Sequence, residues 1–194
     1  MKMLLHLILI AFFGVYLPWM KGLEFLDPPM ICGYACLGAL FAGPSAGQAF
    51  TGGGPRRDGT PTTRPQSWRE AVGRIIRAMV YGETLIAVFL AAGILTVNFR
   101  HAGHWWLPQL DTLAASALLG AAASALVVVT VAWLSLRYSE RAARFGMRFL
   151  LLVMLLAYYY ESLRIAEYAL PGTLFCSLAA LGFFYLLRRE VVPQ

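Results

Sequence analysis

Six apolar stretches of about the length that crosses a bilayer dominate this chain, and they leave little room for anything else. They run over 3–20, 29–49, 78–99, 112–136, 149–163 and 170–187 of 194 residues. A helix of about 20 apolar residues spans the hydrocarbon layer, and lipid offers backbone N–H and C=O groups no partner outside a helix or a closed barrel. The alternation expected of barrel strands is absent. The fold class expected is therefore all-α: a polytopic membrane helix bundle of about six transmembrane helices in a single domain. Charged residues make up 13% of the chain, about half the share usual in soluble domains.

Arginine placement orients these spans. With an inside N-terminus, the inner segments hold Lys2, then Arg56, Arg57, Arg64, Arg69, Arg74 and Arg77, then Arg137, Arg141, Arg144 and Arg148, and finally Arg188 and Arg189. Only Lys21, Arg100 and Arg164 remain outside, of 16 Lys and Arg in all. The positive-inside rule then puts both termini in the cytoplasm. The net charge of +6 lies on the cytoplasmic rim, which suits anionic lipid headgroups and gives no reason to expect nucleic acid. The first stretch lacks a small-x-small cleavage site and is expected to be a retained span. A multi-pass protein of the inner (plasma) membrane is the expectation, since the only asparagine, Asn98, is not in a glycosylation triplet.

Between the second and third spans, residues 51–66 are rich in Gly, Pro and Arg and predict a flexible cytoplasmic loop. Ser67-Trp68-Arg69-Glu70 has the spacing of a capping box. From there Trp68, Val72, Ile75 and Ile76 lie towards one side of a helix, with Arg69, Arg74 and Arg77 largely on the other. The pattern predicts an amphipathic helix over 67–77 at the cytoplasmic surface, running into the third span.

Small residues mark two spans for close packing: Gly33, Gly38, Gly43 and Gly47 in the second, and Ser116, Gly120 and Ser124 at strict spacing of four in the fourth. Pro44 is expected to kink the second span or end its regular part early. Glu83 is the one acid clearly within a span, and intramembrane acids mark function by default. Its separation of only six residues from Arg77 favours instead a shallow ion pair with Arg77 or with an arginine of the next loop.

No catalytic residues, metal ligands or cofactors are expected. His101 and His104 lack the further ligands a metal site needs, and His6 lacks a second intramembrane histidine for haem. Cys32, Cys36 and Cys176 suit packing inside spans. The triple glycine 52–54 is not followed by Gly-Lys-Ser/Thr, and Gly43-Pro44-Ser45-Ala46-Gly47 lacks the setting of a serine elbow.

The layout of six spans, both ends inside and an amphipathic helix after the second span resembles the permease subunits of type-2 ABC exporters. The small-residue helix leading into Trp133-Leu134-Ser135-Leu136-Arg137-Tyr138-Ser139, a basic turn and another apolar helix is similar as well. That resemblance implies that Trp68, Arg69, Val72, Arg74 and Arg77 dock a separate ATPase subunit. It also implies a transport path between two copies, along the second and fifth spans. Two other classes stay open: a non-transporting scaffold subunit packed through its Gly/Ser faces in a homo- or hetero-oligomer, and an ion-coupled carrier using Glu83.

Overall fold

A computed structural model describes residues 2–51, 65, 67–101, 104–138, 145, 146, 167 and 169–192. The fifth apolar stretch, 149–163, and almost all of the 51–66 loop lie outside the described residues. Within them the chain is all helical. In order come α1 (Lys2–Leu9), a π-helical stretch (Ile10–Tyr16), α2 (Leu17–Lys21), a 3-10 turn (Gly22–Leu26), α3 (Pro28–Thr51), α4 (Trp68–Arg100), α5 (Leu110–Arg137) and α6 (Ala169–Val191). Five helical segments are long and apolar enough to cross a membrane: His6–Leu26, Pro28–Phe50, Trp68–Arg100, Leu110–Arg137 and Ala169–Val191. The protein is an integral membrane helix bundle. Side chains such as Phe175, 70% exposed, and Leu178, 68% exposed, form an apolar outer surface for which lipid is the fitting solvent.

α3 and α5 pack along one another at the centre. α4 lies against α3, α6 against α5, and the N-terminal helix against α4. Two apolar cores result. The one nearer the C-terminal end of α3 and the N-terminal end of α4 gathers Ala42, Ala46, Phe50, Ile75, Val127, Val131 and Leu187; the one nearer the other end gathers Phe25, Tyr34, Ile86, Phe89 and Val97.

Glycines set how closely the central helices approach. A Cβ on Gly82 would stand 2.5 Å from the Gly38 carbonyl oxygen and 2.9 Å from Ala42 Cβ. One on Gly120 would stand 2.8 Å from the Ala35 carbonyl oxygen. Only a missing side chain permits backbone contact of this kind. Gly33 and Gly43 are buried, and Gly47 faces Val131. α3 does not stop at Pro44: it continues to Thr51 with the proline inside. Helices in a membrane tolerate an internal proline where neighbouring groups make good the lost hydrogen bond.

The N-terminal span shows a second proline effect. The π-helical register runs five residues back, the Leu17 amide donating to the Phe12 carbonyl, so Pro18, which has no N–H, leaves the Phe13 carbonyl to the Tyr34 hydroxyl, which donates to it at 2.8 Å. The Thr96 hydroxyl on α4, 2.8 Å from the Ala92 carbonyl of its own helix, also lies 3.1 Å from the Gly14 carbonyl, and Gly14 sits against Ala92, so the π-helical stretch packs closely on α4. At the far end of α4, Asn98 and Trp106 bond reciprocally: the Trp106 amide donates to Asn98 Oδ1 at 2.6 Å and Asn98 Nδ2 to the Trp106 carbonyl at 2.8 Å. That pair ties Trp106 back to the last turns of α4.

Candidate functional site

Glu83 lies where three helices cross. The hydroxyl of Ser124 on α5 donates to Glu83 Oε1 at 2.6 Å, and a Cβ on Gly38 of α3 would come within 3.1 Å of the same oxygen. Gly38 and Ser124 fall near the middle of their own spans, and the cluster sits at the seam between the two apolar cores. Glu83 is nine residues along α4 from Arg74, or about 14 Å at 1.5 Å per residue. Arg74 in turn meets the C-terminal end of α3 through the Ala49 carbonyl.

The shallow ion pair expected between Glu83 and Arg77 is therefore not what forms. Arg77 Nε donates to the Gly73 carbonyl at 3.2 Å on the exposed side, and Glu83 turns inward to a hydroxyl. The physical reason is helical phase. Six residues rotate the chain by about 600°, which sends the two side chains to different faces whatever their separation along the axis. Ser116, buried on α5, spends its hydroxyl on the Leu113 carbonyl of its own helix, so of the small polar residues in this span Ser124 is the one that reaches across to Glu83.

The N-terminal end of α4 forms a second group of residues. Ser67 caps it by accepting from the Glu70 amide at 3.2 Å, and the Glu70 carboxylate takes Arg74 Nη2 at 2.6 Å. The helix is one continuous rod with the span, from Trp68 to Arg100. Trp68 packs edge-on against Phe184 of α6 with ring centroids 4.7 Å apart. Ala71 and Ile75 are buried, and Val72 is half-buried.

Arg74 is not at the surface. It is 4% exposed, donates to both Glu70 and the Ala49 carbonyl, and lies over the Phe50 ring at 5.9 Å. Of the five residues that the ABC resemblance nominates for docking, Arg69 and Arg77 are exposed to solvent. With Gly73, whose Cα has open space beside it, and exposed Ile76 they form one edge of the rod. Sequence pattern assigned Arg74 to the polar face because charge is normally solvated; the unpaired carbonyls at the end of α3 supply the partner that brings it inside.

The histidines do not come together as a metal site, and no group of three or more His, Cys, Asp or Glu is placed to hold an ion among the described residues. His6 Nε2 meets the Tyr81 hydroxyl at 2.6 Å, a packing contact between the first span and α4. Comparison of the chain with protein-family models, with curated proteins and with solved structures yields no match.

Proposed function

We propose that the protein is the membrane subunit of a transporter in the inner (plasma) membrane. The observation that carries this reading is Glu83, held by Ser124 at a crossing of three tightly packed helices deep in the bundle. An acid there is costly unless a moving substrate or ion makes use of it. In its finer form the subunit is a short permease of the type-2 ABC class, working as an oligomer with a separate ATPase. The exposed edge of Arg69, Gly73, Ile76 and Arg77 at the cytoplasmic end of α4 supports it, because a rigid rod continuous with the Glu83 span could pass motion between a docked ATPase and the membrane.

Affinity purification of the tagged chain from its native membrane tests the ATPase. An ATPase subunit is expected to co-purify, and the double substitution Arg69→Glu/Arg77→Glu to lower its recovery at least tenfold while the yield of the chain itself stays unchanged. Recovery of the folded chain with other membrane proteins and no ATPase would instead establish a scaffold.

A second reading, the ion-coupled carrier, is favoured by the same hydroxyl–carboxylate contact, since a polar pair on an otherwise apolar crossing is a place for a proton or small cation. In proteoliposomes under a pH or sodium gradient, Glu83→Gln is expected to abolish gradient-driven flux while leaving the protein folded, because the amide keeps the hydrogen bond to Ser124 and loses only the ionisable group. Unchanged flux would remove the carrier reading.

A further inference from the structure

We propose that the groove between the N-terminal helix and the non-cytoplasmic end of α4 binds one anionic phospholipid, its phosphate at Arg100 and His104 and an acyl chain along Val15 and Leu95. The groove encloses about 900 Å³, within the range of sites that hold small ligands. Its walls are apolar and aromatic. Val15 and Trp19 come from one helix, Leu95 and Phe99 from the other, and Trp105 closes the end. All five are exposed on the side of the bundle that faces lipid. Trp19 and Trp105 mark the level of the membrane interface, as indole rings do. From there to Val15 and Leu95 is one helical turn into the hydrocarbon layer, or about 6 Å. What fills such a cleft enters sideways from the bilayer, not from water.

Polar chemistry at the rim selects the headgroup. Thr96 and Asn98 line the groove, but both are spent on protein: Thr96 shares its one hydroxyl hydrogen between the Ala92 and Gly14 carbonyls, and Asn98 pairs with Trp106. Lys21 nearby is balanced by Glu24 at 3.5 Å. Arg100 differs. It donates to the Trp19 carbonyl and lies 5.6 Å from the centre of the Trp19 ring, yet it makes no ion pair among the described residues. The contact with Trp19 uses one of five N–H donors and holds the guanidinium beside that lining residue of the groove. The exposed ring of His104, which lines the groove, has no hydrogen-bond partner among the described residues and adds a donor. A fixed cation without an acid, beside a ring donor and above an apolar slot, is complementary to a phosphodiester carrying an acyl tail.

Native mass spectrometry of the chain released from nanodiscs of equal phosphatidylglycerol and phosphatidylcholine tests this. One phosphatidylglycerol per chain is expected to be retained, at least fivefold over phosphatidylcholine. Leu95→Trp, which fills the slot from an exposed position, is expected to lower that retention at least fivefold. Val15→Phe replaces it should Leu95→Trp fail a thermal-melt check of folding. Arg100→Gln is expected to bring the ratio of the two lipids close to one. Equal retention of both lipids by the unaltered chain, unchanged retention in the filled variant, or displacement of the lipid by millimolar glycerol phosphate would each overturn the proposal.

Discussion

Gly82→Val is expected to separate α3 from α4 and to be among the most damaging single substitutions in the protein. The first atom added, the Cβ, would lie 2.5 Å from the Gly38 carbonyl oxygen and 3.1 Å from the Ala42 amide nitrogen. Both are backbone atoms of a helix locked against α5, so neither can step aside as a flexible side-chain end would. Relief requires the two helices to part by close to an ångström, and the branched methyls of valine push further. Overpacking of a well-filled core costs about 1–3 kcal/mol, and a clash with backbone belongs at the upper end. The same movement would stretch the Ser124–Glu83 hydrogen bond, one residue away on α4. Gly73→Ala is the matched control on the same helix. Nothing lies within 4 Å of the added Cβ, so replacing glycine there is expected to be neutral or to stabilise by up to about 1 kcal/mol through helix propensity. Thermal melts in detergent, followed by circular dichroism and size-exclusion chromatography, compare the two. Equal melting temperatures for both variants would mean that the α3–α4 crossing is not as close as the structure has it.

What the sequence discloses about this bundle, and what it conceals, follows from the range of the forces involved. Span length and composition are local, so five of the six apolar stretches can be compared with helices: four fall within α3, α4, α5 and α6, and the first runs through α1, the π-helical stretch and α2. Small residues at intervals of four put Ser116, Gly120 and Ser124 on one stripe of α5, because that interval nearly completes a turn. Which helix the stripe meets is not local: nothing in the spacing says that Gly120 faces Ala35, or that Gly82, one of three glycines in α4, approaches as closely as any member of the pattern. Glu83 stands out by chemistry as the acid of its span. Its partner Ser124 does not, because 41 residues separate them and only the crossing of α4 and α5 brings them together. Pro18 and Pro44 show the same limit. Each removes a backbone donor, and whether the helix then breaks depends on what neighbouring helices offer: the Tyr34 hydroxyl meets the Phe13 carbonyl in the π-helical stretch before Pro18, and α3 runs through Pro44 for another seven residues.

Arg74→Glu should abolish the folded state, not merely the association with a partner, and this separates the two roles open to the N-terminal end of α4. A solvent-facing docking arginine could be reversed in charge with little effect on folding. Arg74 is instead a buried clamp. Its guanidinium joins the Ala49 carbonyl at the end of α3 to the Glu70 carboxylate one turn back on α4, with the Phe50 ring beneath it. Removing one partner of a buried, hydrogen-bonded ion pair costs about 3–5 kcal/mol. The reversed charge adds repulsion, since a second carboxylate would point at Glu70 and at a carbonyl oxygen that can only accept. Arg74→Met offers a graded comparison: it keeps most of the apolar stem packed on Phe50 and leaves the Ala49 carbonyl without its donor, at a cost of about 1–3 kcal/mol. Arg77→Glu, on the exposed edge three residues on, is expected to fall within about 0.5 kcal/mol of the unaltered chain, as surface substitutions do. The order expected in melting temperature is therefore Arg77→Glu, then Arg74→Met, then Arg74→Glu as the least stable. A fully stable Arg74→Glu protein would place that side chain in water and return it to the docking surface; the expected order would keep it inside the bundle, so that a test of partner docking has to be made at Arg69 and Arg77.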